Sequence, residues 1–268
     1  MQRNSMAEEK REDLEADHKN TERTLSLARH VMGKLVRPVR VDEDLLQHWV
    51  LPSADFSGDV VAAAMTAGNR LHVILADGTG HGLSAALCMM PVSEIFYAMT
   101  EKGFPIGSIA RELNKKMYDL LPRDRFIAAT LASIDWPNKT IEIWNGGGPP
   151  AFFLSESGQC LNAWKSKFLP IGVLSDKDFE EKVEVFQWNE PGQLFLHSDG
   201  LTDARNPQDM LFGTVRMHST LLEVGCEQRF EHLKKSVMAH AGALVADDDI
   251  SLVVVHCKLT LCGAMELE

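Results

Sequence analysis

The sequence predicts an α+β fold built on antiparallel sheets. Three observations carry this. Short apolar runs recur at hairpin spacing along most of the chain. The two longest helical segments follow one another instead of alternating with strands, which argues against a parallel βαβ wind. Turn residues punctuate the runs, as at Gly68-Asn69 and at Gly146-Gly147-Gly148-Pro149-Pro150.

Taken in order, residues 1–44 read as a helical connector. Leu14, His18, Thr21, Leu25, Ala28, Met32 and Leu35 recur at steps of four and three, a heptad stripe that Pro38 ends. The stripe is either an exposed helix or a coiled-coil connector to something upstream, and it would support a homodimer. The globular part is expected over 45–257, with 258–268 as a tail. Asp59–Ala67 and Arg70–Ala76 read as two strands around the Gly68-Asn69 turn. Leu83–Lys102 and Ile106–Leu121 read as helices, the first apolar on most faces and so largely buried. Phe126–Ile134, Thr140–Trp144, Ala151–Leu154, Val183–Trp188, Gln193–His197 and Ile250–His256 read as strands, and Glu227–Ala241 as a late helix.

Composition excludes several classes. The chain has 268 residues, enough for one large domain or two small ones, and its 45% hydrophobic content allows a sizeable core. Lys+Arg is 27 against 38 Asp+Glu, a net charge of −11, which disfavours nucleic acid or an anionic membrane as the main partner. No apolar run is expected to approach the roughly 20 residues that span a bilayer. The charged N-terminus is not a secretory signal. Five scattered cysteines (Cys88, Cys160, Cys226, Cys257, Cys262) form no C-x-x-C pair, so a reduced, cytoplasmic setting is expected.

The chemistry lies in aspartates where apolar strands stop. Asp59 opens the first strand and Asp77 closes the second, equally far from the Gly68 turn, so the two should sit opposite or diagonal at the open end of the hairpin. Carboxylates that close repel unless a cation lies between them. Asp199-Gly200 ends the run Leu194–Ser198, and Asp247-Asp248-Asp249 stands directly before the strand at Ile250. An all-oxygen set with no His or Cys cluster suits Mg²⁺ or Mn²⁺. Asp-Gly at a strand end is also a common plain turn. The hairpin symmetry and the triple aspartate favour the cation.

Ser57-Gly58-Asp59, Ala76–Gly82 (ADGTGHG), Phe126–Thr130, Asn145–Pro150, Leu169–Gly172, Ser198–Asn206 and Asp248–Ser251 occur in that order. Together they resemble the motifs of the PPM (PP2C-type) protein phosphatases, in the bacterial SpoIIE/RsbU-like branch, over roughly 45–257. The resemblance implies a sandwich of two antiparallel β-sheets flanked by helices, and a metal-dependent serine/threonine protein phosphatase holding two divalent cations, Mn²⁺ or Mg²⁺. It implies that Asp77 bridges the two ions, that the Gly78 carbonyl joins one of them, that Asp199 and Asp248 are further ligands, and that Asp59 holds waters or a weaker ion. Asp249, Asn145, Arg125 and Arg205 are candidates for supporting the ligands or contacting substrate. The substrate it implies is a phosphorylated anti-sigma-factor antagonist in a partner-switching or two-component pathway, with an upstream receiver or sensor domain possible in such relatives.

The chain also departs from the pattern. Relatives carry an aromatic residue and an acid where Val60-Val61-Ala62-Ala63 stands, and a His inside the motif that here reads Asn145-Gly146-Gly147-Gly148-Pro149. Thr79 occupies the place where the eukaryotic enzymes have a catalytic His, and His81 reads as structural. His72, His197 and His256 lie in strand runs and read as satisfied core or edge residues. Two alternatives stay open: a pseudophosphatase adaptor on the same fold, and a hydrolase of small phosphorylated metabolites.

Overall fold

The computed structural model describes residues 22–28, 30, 39–80, 82–242 and 247–258. Residues 1–37 and 38–268 form separate compact units. In the first, residues 22–28 are helical, with Leu25 and Ala28 less exposed than their neighbours. Leu14, His18, Thr21, Met32 and Leu35 of the heptad stripe lie outside the described residues, as do His81, Cys262 and the tail from 259.

The second unit runs β1 (Leu46–Leu51), β2 (Asp59–Met65), β3 (Leu71–Gly78), α1 (Leu83–Glu101), α2 (Ile106–Leu120), β4 (Ile127–Asp135), β5 (Thr140–Gly146), β6 (Ala151–Ser155), β7 (Cys160–Trp164), β8 (Glu184–Gln187), β9 (Gly192–His197), α3 (Asp199–Asp203), α4 (Gly213–Leu222), α5 (Arg229–Ala241) and β10 (Ile250–Cys257). The strands form two five-stranded sheets, in the orders β1-β10-β9-β6-β7 and β2-β3-β4-β5-β8. Every strand pair in them is antiparallel. Val39 and Val41, ahead of the expected start at Leu45, already pack against the core.

Strand period decides what each face meets. Val61 and Ala63 of β2, Leu71, Val73 and Leu75 of β3, and Val253 and Val255 of β10 fill the space between the sheets. Their alternates Val60, Ala62, Ile74 and Ala76 pack under α1 and α2. Leu252 and Val254 pack under α3, α4 and α5. The strands are therefore apolar on both faces, which is why they read as continuous runs instead of alternating ones.

The sequence expectation that no apolar run approaches a membrane span needs correcting. α1 is 19 residues long and apolar enough to cross a bilayer by length and composition. Its Ala85, Ala86, Met89, Val92 and Phe96 are buried, and it packs on the second sheet as a core helix. The four described cysteines are free.

Candidate functional site

The β2–β3 hairpin turns at Thr66–Arg70, where the Arg70 carbonyl accepts from the Thr66 amide at 2.8 Å and Asn69 takes a left-handed φ of 58°. Counting back along both strands places Asp59 directly opposite Asp77. Both share the row of Val61 and Leu75, so both face into the sandwich at its open end. From the other sheet, Ser198 continues the inward row of Leu194 and Leu196, and Ser251 that of Val253 and Val255. The apolar interior thus ends in two carboxylates facing two hydroxyls.

The electrostatics are those of anions lacking a counter-charge. Burial pushes the Asp77 carboxyl up to about 9, helped by the charges of Asp59, Asp199 and Asp248 and by a hydrogen bond with Asp199. Burial likewise pushes Asp59 up to about 7. The nearby hydroxyls of Ser251 and Ser198 oppose that shift, while Asp249 and Asp248 add to it. Asp59 Oδ2 and Ser251 Oγ are buried without a hydrogen-bond partner. Such orphaned oxygens cost stability unless something further binds them. An oxygen-seeking divalent cation matches the donor set, so the residues present fit it. Among the described residues no three acidic, imidazole or thiol side chains close around one point as a ready-made cage.

Glycines allow the close approaches. A Cβ on Gly78 would meet Met89 Sδ at 2.8 Å, so the bare residue 78 lets the Met89 side chain of α1 lie directly on the strand end. A Cβ on Gly200 would meet the Asp249 carbonyl at 2.1 Å, so Asp199 can start α3 beside β10 only with glycine next to it.

The structure brings Asp59, Asp77, Asp199 and Asp248 together and separates the other candidates by role. Asp249 is buried and hydrogen-bonded to the segment before β2. Arg125 donates to the Thr79 carbonyl at 2.5 Å, just beyond the Asp77-Gly78 end of β3. Arg205 is held by Asp209 at 2.9 Å and lies 3.9 Å from Asp247, on a cavity of about 240 Å³ that Gly200, Asp203 and Asp248 also line. Asn145 is occupied inside its own turn: its Oδ1 accepts from the Gly148 amide at 3.1 Å, and its Nδ2 donates to the Pro149 carbonyl at 2.9 Å. His72, His197 and His256 are buried with partners. Sequence reasoning missed Ser198 and Ser251, although the alternation Leu194, Leu196, Ser198 and Ser251, Val253, Val255 would have placed both on the inner face.

The family described as Stage II sporulation protein E (SpoIIE) matches residues 53–258, a span that holds all four gathered aspartates. The chain belongs to the SpoIIE family. RsbP of Bacillus subtilis (strain 168), named a phosphoserine phosphatase, is 29% identical over 191 residues, covering 69% of this chain and 46% of RsbP. RsbU of the same organism, also named a phosphoserine phosphatase, is 22% identical over 258 residues, covering 95% of this chain and 76% of RsbU. The chain thus spans just under half the length of RsbP. Among solved structures, the SiaA-PP2C domain of Pseudomonas aeruginosa superposes with a TM-score of 0.75 at 17% identity, over 90% of this chain and 98% of that one. RsbX, solved in complex with magnesium, gives 0.59 at 16% identity, over 82% of this chain and 98% of that one. The SpoIIE-family domain therefore has the PP2C phosphatase fold that its motifs imply.

Proposed function

We propose that this SpoIIE-family domain is a divalent-cation-dependent phosphatase of phosphoserine or phosphothreonine in a folded regulatory protein of the anti-sigma-factor-antagonist type. One observation carries the reading: Asp59 and Asp77 are paired across β2–β3, Asp59 buried with an orphaned oxygen and Asp77 half-buried beside it. The names of RsbP and RsbU support the phosphoester substrate, and the magnesium complex of RsbX supports the cation.

Asp77, the Gly78 carbonyl, Asp199 and Asp248 would hold two Mn²⁺ or Mg²⁺ ions, with Asp59 orienting their waters. Bound there, the ions supply the positive charge that draws in a phosphate ester and activates a water for in-line attack. The chain's own residues set the geometry. The β2–β3 register fixes the Asp59–Asp77 spacing, and α3 and the start of β10 bring up Asp199 and Asp248. Arg125 holds the Thr79 backbone, and Arg205 offers a cation at the cavity beside Asp248. The adaptor alternative would be expected to lose these carboxylates, and all are present.

A site this acidic repels a phosphate on its own, so phosphate affinity would come from the bound ions and the choice of partner from shape over a protein surface. The test compares kcat/KM in Mn²⁺ for a phosphorylated antagonist protein with that for a short phosphopeptide cut from it. The protein should be far better; equal values would overturn recognition of a folded partner. In the same reading, the 1–44 connector would dimerise and bias α1 and α2, and deleting 1–36 should change oligomeric state and metal requirement together.

A further inference from the structure

We propose that Asp249 is a positioning residue that fixes the spacing of the cation-holding carboxylates across the two sheets. Its side chain binds the segment that leads into Asp59: Oδ1 accepts from the Ser53 amide at 2.6 Å and the Ser53 hydroxyl at 2.9 Å, and Oδ2 accepts from the Gly58 amide. Gly58 immediately precedes Asp59, and its carbonyl accepts from the Gly78 amide at 3.1 Å. One carboxylate therefore anchors both strand ends that present the Asp59–Asp77 pair.

The backbone of Asp249 reaches the other two carboxylates. Its amide donates to Asp248 Oδ1 at 2.8 Å, and its carbonyl accepts from the Ser198 hydroxyl at 3.2 Å. Ser198 in turn exchanges bonds with Ser251 and directly precedes Asp199. Gly200 packs against the same carbonyl. Asp59 belongs to one sheet, while Asp199 and Asp248 extend the other. Asp249 joins them, and it is only 2% exposed.

The two neighbouring acids thus have different work. Asp248 is exposed and acts on Asp77 through its charge. Asp249 also adds its charge at Asp59, but both of its oxygens are taken up by the Ser53 amide and hydroxyl and the Gly58 amide. An asparagine at 249 is nearly isosteric but puts an NH₂ against an amide donor, so one end of the clamp fails. Supporting partners of this kind typically alter metal affinity by about 10–100-fold.

This inference rests on the divalent-cation reading, and the test separates the two. Mn²⁺ binding to the full chain is measured by calorimetry for wild type, Asp249→Asn and Ser53→Ala, with thermal unfolding of each in chelator. Wild type should bind. Asp249→Asn should bind about tenfold more weakly, and Ser53→Ala, which removes one bond and leaves the carboxylate, should weaken binding by a smaller factor in the same direction. A carboxylate that only glued the loop would lower the unfolding temperature and leave the Kd unchanged. Should Asp249→Asn fail to fold, Ser53→Ala decides. A Kd equal to wild type in the folded variants overturns the proposal, and absence of Mn²⁺ binding by wild type overturns the cation reading beneath it.

Discussion

The two ends of the sandwich treat buried charge in opposite ways. At the far end, where β4 finishes and β9 begins, the buried charges of Asp135 and Arg229 are answered. Asp135 accepts from the Asn138 amide at 3.0 Å and its side chain at 2.9 Å, and pairs with Arg70 at 3.0 Å. Burial would raise its pKa, but these partners win and hold it below the usual range. Arg229, 2% exposed, donates to the carbonyls of Leu221, Ser155 and Glu156 at 3.1, 2.8 and 2.9 Å. At the near end, Asp59 and Asp77 face each other with raised pKa values and an orphaned oxygen. The same two sheets close both ends, and the acids at each end have different partners. A fold that satisfies buried charge at one end and withholds partners at the other reserves the second for something it binds.

Substitutions should therefore have opposite effects at the two ends. Asp77→Asn should lower phosphatase turnover by about a thousandfold or more, a loss of about 4 kcal/mol in transition-state stabilisation. In chelator the same variant should be more stable than wild type, by about 1 kcal/mol, because repulsion is relieved. Chemical denaturation beside a phosphate-release assay reads both, and a destabilised apoprotein would erase the contrast. Arg229→Met should do the reverse, losing about 3 kcal/mol of stability with turnover kept at low temperature. Arg229→Lys should recover little, because an ammonium cannot reproduce the fork that reaches three carbonyls.

The far end also predicts a pH dependence. Burial lowers the His72 pKa to about 4, with the Arg70 charge adding to it. A base with a depressed folded pKa is protonated first in the unfolded chain. Its contribution is intact above about 6.5 and is lost as pH falls towards 4, up to roughly 3 kcal/mol. Unfolding free energies across that window should show the slope in wild type and a flatter one in His72→Gln. The smallest expected effect is Asp135→Asn, about 1 kcal/mol from weakened bonds with Asn138 and Arg70, with activity unchanged.

The near end was legible in the sequence because its signals are local. The Asp59–Asp77 pairing follows from counting out from one turn, and Asp199-Gly200 and Asp248 sit at the ends of runs that are apolar on both faces. What escaped was set by distant partners. β1 and β7 are edge strands paired on one side only, and their mixed sequences, such as Gln47-His48-Trp49, carry no clean period. α4 is short and amphipathic only with respect to a sheet contributed by residues far away. The roles of Ser53 and Asp249 depend on a contact across 196 positions, which no local pattern shows.

The central claim is that the acidic end works only when divalent cations occupy it. The most direct measurement is phosphate release from a phosphoserine protein by the full chain, with Mn²⁺ and then with excess chelator. The account predicts turnover with Mn²⁺, loss of it in chelator, and recovery when Mn²⁺ is restored. Full turnover in excess chelator would contradict it.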